Sequence, residues 1–150
     1  MFKLLKNEFD YCKDINWKDV IDKIDYECRN RSTCKIMYNN FTAPTFILEN
    51  DSYLPRSILK VSNKVHEKMQ TKKCHVYTSL GEDSPTFGRH CDPVNVLLVQ
   101  SIGSISYMID DNYNSEIVNL NPGDGIIIKK GIFHAPIIKE SRVTLSFSWD

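Results

Sequence analysis

A chain of 150 residues with 41% apolar side chains and balanced charge, 19 basic groups against 19 acidic, can bury one core and predicts a single domain over 1–150. No run of about 18 apolar residues occurs, which excludes a transmembrane helix, and Met1-Phe2-Lys3-Leu4-Leu5-Lys6 is too short and too charged for a secretory leader. The five cysteines (Cys12, Cys28, Cys34, Cys74 and Cys91) are odd in number and form no Cys-x-x-Cys pair, so neither a disulfide framework nor a zinc ribbon is expected and a cytoplasmic location suits them.

In chain order, residues 1–73 read as a helical part with a strand-like interlude. Asn16 precedes Trp17-Lys18-Asp19 as an N-cap, with an acidic residue three positions on as in a capping box. Trp17, Val20, Ile21, Ile24 and Cys28 then recur on one helical face. Lys35-Ile36-Met37-Tyr38 and Thr45-Phe46-Ile47-Leu48 predict short strands around a turn at Asn39-Asn40. A second helix, over roughly 54–72, would bury Ile58, Val61, Val65 and Met69. Its other face carries Arg56, Lys60, Lys64 and Lys68, with Lys72 and Lys73 beyond. Residues 1–75 hold 14 basic and 10 acidic side chains, a net of +4, and the remainder holds 5 and 9, a net of −4. A cationic stripe steers toward phosphates, but such a run is usually a solvated face, and nucleic acid is not the expected partner.

From Cys74 the pattern changes to strands, near 74–79, 94–101, 104–109, 115–119, 125–129, 134–138 and 142–149, about one turn signal every 8 to 12 residues. Asp110-Asp111-Asn112 and Asn121-Pro122-Gly123 supply turns. Helices first and strands after predict an α+β, mainly β fold, in which the N-terminal helices pack on one sheet of a core spanning 74–150. The last strand is two-faced. Val143, Leu145, Phe147 and Trp149 alternate with Arg142, Thr144, Ser146 and Ser148. The apolar set is expected to meet the helices, which leaves the polar set free to line a cavity beside His134.

The chemistry concentrates in His90 and Asp92. Residues two apart on a strand point to the same side, so this pair can share one metal ion. The run Asn121-Pro122-Gly123-Asp124-Gly125-Ile126-Ile127-Ile128-Lys129-Lys130-Gly131-Ile132-Phe133-His134 reads as a tight turn, a buried strand, a second turn and a histidine delivered on the next strand. Two imidazoles and one carboxylate form the facial triad that holds non-haem Fe(II) and leaves coordination positions open. His66 and His75 read as structural, His75 with a minor contact role open to it. Cys91 reads as a small buried residue pointing away from the metal, and Asp124 as a residue bonding its own turn.

Three stretches, Val76-Tyr77-Thr78-Ser79, Phe87-Gly88-Arg89-His90-Cys91-Asp92 and Val96-Leu97-Leu98-Val99-Gln100-Ser101-Ile102-Gly103, resemble the core of Jumonji-C-type Fe(II)- and 2-oxoglutarate-dependent oxygenases. The likeness is greatest to ribosomal-protein and asparaginyl hydroxylases, which place a glutamine and a glycine where Gln100 and Gly103 stand. Pro122-Gly123-Asp124 followed by Gly131-Ile132-Phe133-His134 is similar to the second cupin motif, with Lys129 where proline is common. The resemblance covers about residues 74–149. It implies a double-stranded β-helix, the cupin jelly roll, with His90, Asp92 and His134 as metal-binding and catalytic residues. It also implies Fe(II) as cofactor, 2-oxoglutarate as co-substrate, and hydroxylation of a C–H bond with release of succinate and CO2. A glycine in place of Asp92 would imply halogenation; the carboxylate implies hydroxylation.

This sequence departs from those relatives at the co-substrate anchor. They carry Lys or Arg shortly after the Gly103 position, where Ser104 and Ile105 stand here. Arg142 with Thr144 offers a replacement, similar to the Arg-x-Ser/Thr of prolyl hydroxylases and small-molecule oxygenases, because a guanidinium fork matches a carboxylate. A surface arginine at a strand start is the alternative, with Lys129 as the other candidate anchor. Tyr77 is expected to touch the co-substrate, while Tyr107 could touch it or pack. The ribosomal relatives carry appended helical and winged-helix domains, for which no counterpart is expected in these 150 residues, so a protein or peptide substrate and a small molecule both stay open. The rival function is a metal-dependent cupin of another class (an isomerase, a lyase or a 2-oxoglutarate-independent dioxygenase), and a non-catalytic barrel is the third. Oligomeric state is not legible.

Overall fold

The computed structural model describes residues 1–30, 34–39, 41–49 and 54–150. The chain begins with β1 (Phe2–Leu5), a 3-10 turn (Asp10–Asp14) and α1 (Trp17–Asn30), followed by β2 (Cys34–Met37), β3 (Thr45–Leu48) and α2 (Arg56–Met69). Seven strands then follow: β4 (Lys73–Ser79), β5 (Asn95–Ile102), β6 (Ile105–Asp110), β7 (Ser115–Leu120), β8 (Gly125–Ile128), β9 (Phe133–Ile138) and β10 (Arg142–Trp149). The expected strands and both helices are present. Asn40 of the expected β2–β3 turn lies outside the described residues. Among the described residues, no helix is long and apolar enough to cross a membrane.

The helix starts where its cap predicts, since Asn16 Oδ1 accepts the Asp19 backbone N–H at 2.9 Å. Its buried face is rotated from the expected one: Val20, Ile24 and Glu27 are buried, while Ile21 and Cys28 are exposed. Glu27 is tolerated there because Lys23, one turn earlier, places Nζ 2.7 Å from its carboxylate. In α2, Ile58, Val61, Ser62 and Val65 turn inward.

All strand pairings are antiparallel. One sheet has the order β1-β8-β5-β10-β4-β3-β2, and a second has the order β7-β6-β9. The fold is thus mainly β, two antiparallel sheets with helices against the larger, consistent with a jelly roll. Two apolar clusters hold it. In one, Val143, Leu145 and Phe147 of β10 meet Ile58, Val61 and Val65 of α2 and Val20 and Ile24 of α1. In the other, Val96, Leu98, Ile126 and Ile128 of the large sheet meet Ile105, Ile109, Val118 and Leu120 of the small one. The two-faced reading of β10 therefore holds on its apolar side.

The first strand and the 3-10 turn went unpredicted. β1 is only four residues long and owes its structure to a partner far along the chain, with Phe2 opposite Ile128 and Leu5 opposite Gly125. The 3-10 turn follows Phe9, which is fully buried over Gly125. A Cβ on Gly125 would lie 2.6 Å from that ring. Asp124 ties this corner together: its buried carboxylate accepts the backbone N–H of Asn121 at 3.0 Å and of Asn7 at 2.9 Å, and pairs with Lys6 Nζ at 3.0 Å.

Candidate metal centre

His90 lies in the connection between β4 and β5, which has no regular strand. One bridge attaches it to β9, where His90 N donates to His134 O at 3.0 Å and His134 N donates to His90 O at 2.8 Å. Directly paired residues project to the same face, and the two imidazole rings accordingly stand 4.4 Å apart between centroids. Asp92 follows, placing Oδ2 3.3 Å from His134 Nε2 and 4.0 Å from His90 Nε2. One donor atom from each of the three residues falls within 4.8 Å of the others.

Both imidazoles are held in the same way. Nδ1 of His90 lies 2.9 Å from the carbonyl of Gly88, and Nδ1 of His134 lies 3.1 Å from the carbonyl of Ile132, in each case two residues upstream. A carbonyl only accepts, so each Nδ1 carries the proton and each Nε2 turns toward Asp92. Outer hydrogen bonds of this kind fix ring orientation at metal sites. A bond from Gly131 N to Asp92 O at 2.9 Å anchors the segment to the turn before β9. Two nitrogens and one oxygen on one side fit a divalent transition metal with open positions toward the cavity.

The three residues border a cavity of about 400 Å³. Apolar walls come from Val94, Val96, Leu98 and Pro136, and the polar face of β10 supplies Arg142, Ser146 and Ser148. Tyr77 and Tyr107 line it as well. Arg142 is 3% exposed, a buried residue and not a surface arginine at a strand start. Its Nε donates to Ser79 Oγ at 2.9 Å and its Nη1 to Thr144 Oγ1 at 2.8 Å; Nη2 makes no hydrogen bond among the described residues, and no carboxylate pairs with the group. Burial pushes its pKa down, but a guanidinium keeps its charge at neutral pH. Burial also raises the Tyr77 hydroxyl to about 12, with Asp92 adding to the shift, so this side chain faces the cavity as a neutral donor.

Gln100 and Gly103 have a structural role. Thr144 Oγ1 donates to Gln100 Oε1 at 2.7 Å, and Gln100 Nε2 donates to the carbonyls of Ile102 and Gly103, each at 2.8 Å. The glutamine thereby fastens the β5–β6 turn to the strand that carries Arg142. Ser104 is occupied with Glu140, and Ile105 is buried in the core, so neither reaches the cavity. Lys129 is exposed and does not line it either. Cys91 points away from the triad as expected, but it is exposed and not buried, since the bridge that turns His90 inward turns its neighbour to solvent. His66 bonds Thr71 and packs edge-on against Phe147, away from the site.

Sequence reasoning missed several members of this neighbourhood. His75, read as structural, lines the cavity in the same row as Ser146. Ser79, Arg89 and Asp110 carried no signal of their own. The alternation of β4 could have placed Ser79, Tyr77 and His75 on one face.

No protein-family model and no curated protein sequence matches the chain. Among solved structures it is similar to the ribosomal oxygenase YcfD of Escherichia coli. In one case the identity is 12% and the TM-score 0.71, over 99% of this chain and 49% of that one. YcfD in complex with cobalt and 2-oxoglutarate matches at 14% identity and a TM-score of 0.60, over 75% of this chain and 33% of that one. At these identities the likeness is one of fold. The chain spans a third to a half of the length of these YcfD structures.

Proposed function

We propose that this protein is a cupin-type Fe(II)- and 2-oxoglutarate-dependent oxygenase, a hydroxylase, with His90, Asp92 and His134 as its metal-binding and catalytic residues. The observation that carries the reading is Arg142, a buried cation without a carboxylate partner among the described residues that borders the same cavity as the triad. Burying an unpaired charge is costly. A dicarboxylate that reaches the metal at one end and the guanidinium at the other would offset that cost and explain why the charge is there.

Iron(II) bound at the triad, together with O2 and 2-oxoglutarate, supplies the chemistry for placing one oxygen atom in a C–H bond while succinate and CO2 leave. The chain's own residues do the rest. Arg142 offers Nη2 to the distal carboxylate, with Ser79 and Thr144 holding the guanidinium in plane. Tyr77, which lines the same cavity, donates its hydroxyl hydrogen to the same ligand in this reading. Val96, Leu98 and Pro136 give the cavity apolar walls that limit water around these donors.

The substrate is left the polar groups of His75, Ser146 and Ser148, which line the cavity with no hydrogen bonds of their own side chains among the described residues. The fold likeness to a ribosomal oxygenase favours a polypeptide side chain over a free small molecule. Iron-loaded protein incubated with 2-oxoglutarate labelled at C1 should release labelled CO2, stimulated by one fraction of a cell lysate. The expected result is stimulation by the peptide fraction, with a +16 Da product. Stimulation by the metabolite fraction alone contradicts the polypeptide substrate. No CO2 with any fraction contradicts the oxygenase and leaves a metal cupin of another class.

A further inference from the structure

We propose that Arg89 is a positioning residue for the metal centre, acting through a fork on Asp110 and a stack on Phe133 to lock the register that aligns His90 with His134. The proposal rests on the metal-centre reading above. Arg89 Nε donates to Asp110 Oδ2 at 2.8 Å and Nη2 donates to Asp110 Oδ1 at 2.7 Å, a bidentate contact, and Nη2 also reaches Asn112 Oδ1 at 3.2 Å. The guanidinium carbon lies 3.9 Å from the centroid of the Phe133 ring. A planar fork held on one side by a carboxylate and on its face by an aromatic ring has little freedom left.

The register shows what this grip controls. In the small sheet Ile109 pairs with His134, and the next row pairs Asp110 with Phe133. His90 joins the His134 row by its bridge, and Arg89 grips the neighbouring Asp110–Phe133 row from the opposite face of the sheet. In this antiparallel register Arg89 stands opposite Ala135, and its side chain reaches back past the His134 row to the Asp110–Phe133 row. The His90–His134 bridge and the Gly131 N–Asp92 O bond are few contacts to fix a register, and a one-residue slip would turn His90 outward and carry Asp92 with it. Arg89 opposes that slip, because the fork fits only when His90 faces His134.

An ion pair between Arg89, 43% exposed, and the mostly buried Asp110, 13% exposed, contributes modestly to global stability, whereas a positioning role predicts a loss of metal affinity larger than any change in stability accounts for. The experiment is Co(II) titration of metal-free protein by calorimetry, with the apo melting temperature measured alongside. Arg89→Lys keeps the charge and loses the fork, while Asp110→Asn keeps the shape and loses the charge. Each should weaken Co(II) binding about tenfold or more with a melting temperature near that of the parent. Val118→Ala, a core truncation in the same sheet remote from the triad, should lower the melting temperature and leave Co(II) affinity unchanged. Parent-like Co(II) affinity in Arg89→Lys and Asp110→Asn overturns the proposal alone. Affinity loss in Val118→Ala that tracks its melting temperature overturns it as well, by reducing the effect to general destabilisation. A parent that binds no Co(II) overturns the metal-centre reading and this proposal together.

Discussion

Each imidazole at the centre is oriented by a carbonyl two residues upstream, from Gly88 for His90 and from Ile132 for His134. The donor atoms are therefore aimed before a metal is bound, and removing one leaves too few for tight binding. His90→Ala should reduce metal content, measured by elemental analysis after dialysis, to the background of a His90→Ala/His134→Ala double variant. Parent-like metal content would remove His90 from the ligand set. Asp124 illustrates the other kind of buried carboxylate, one with a folding role. Burial alone would raise its pKa, but hydrogen bonds from the Asn121 and Asn7 backbone and from Lys6 outweigh that and leave it below its ordinary value of 3.8. A folded-state pKa that is depressed stabilises the fold fully above the unfolded value and loses that contribution as pH falls through the folded one. Asp124→Asn should therefore cost about 1.5–3 kcal/mol at neutral pH, and its stability should fall less than the parent's on acidification below about pH 4. Urea unfolding at pH 7 and pH 3 measures both, and parallel losses in the two proteins would contradict the role.

At the scale of elements, β10 joins the core to the site. Its apolar face packs against both helices, and its polar face supplies Arg142 to the cavity with Thr144 buried behind it as a support. Strict alternation over eight residues made both faces legible in the sequence, because a half-buried strand has a period of two. The turn that orients its start is less forgiving. Gly103 has φ +68°, and a Cβ there would sit 2.2 Å from the carbonyl oxygen of Ser141, the residue before Arg142. Gly103→Ala should destabilise by at least about 1–2 kcal/mol from the left-handed backbone alone. It should also weaken 2-oxoglutarate binding by displacing Arg142. Unchanged stability and affinity would show that the turn relaxes without moving β10. Other elements were misjudged for identifiable reasons. The stripe on α1 counted Ile21 and Cys28 as inward because an apolar side chain at the edge of a helical face reads like one at its centre, while buried Glu27 was hidden by its charge. The four residues of β1 carry no periodicity, and their pairing with β8 is a tertiary effect that no local pattern encodes.

For the whole molecule, the three residues of the proposed metal centre were legible because they sit in two dense local motifs, which the fold brings within 4.8 Å of one another, and Arg142 was legible on the cavity side of β10 because strand alternation is local as well. It did not expose the Arg89 clamp or the cavity role of His75, which depend on which strands become neighbours. In the proposed site one bound dicarboxylate joins the triad to the Arg142 guanidinium. Anaerobic titration of the metal-free protein with Fe(II), in the presence and absence of 2-oxoglutarate, tests this most directly through the visible metal-to-ligand absorption of the chelate. The account predicts a band that appears only when both are present. In Arg142→Ala, saturating the band should need about tenfold to a hundredfold more 2-oxoglutarate, the loss of a charge-assisted contact of roughly 1.5–3 kcal/mol, while Fe(II) affinity stays at the parent value. No band in the parent, or one with equal 2-oxoglutarate affinity in Arg142→Ala, would contradict it.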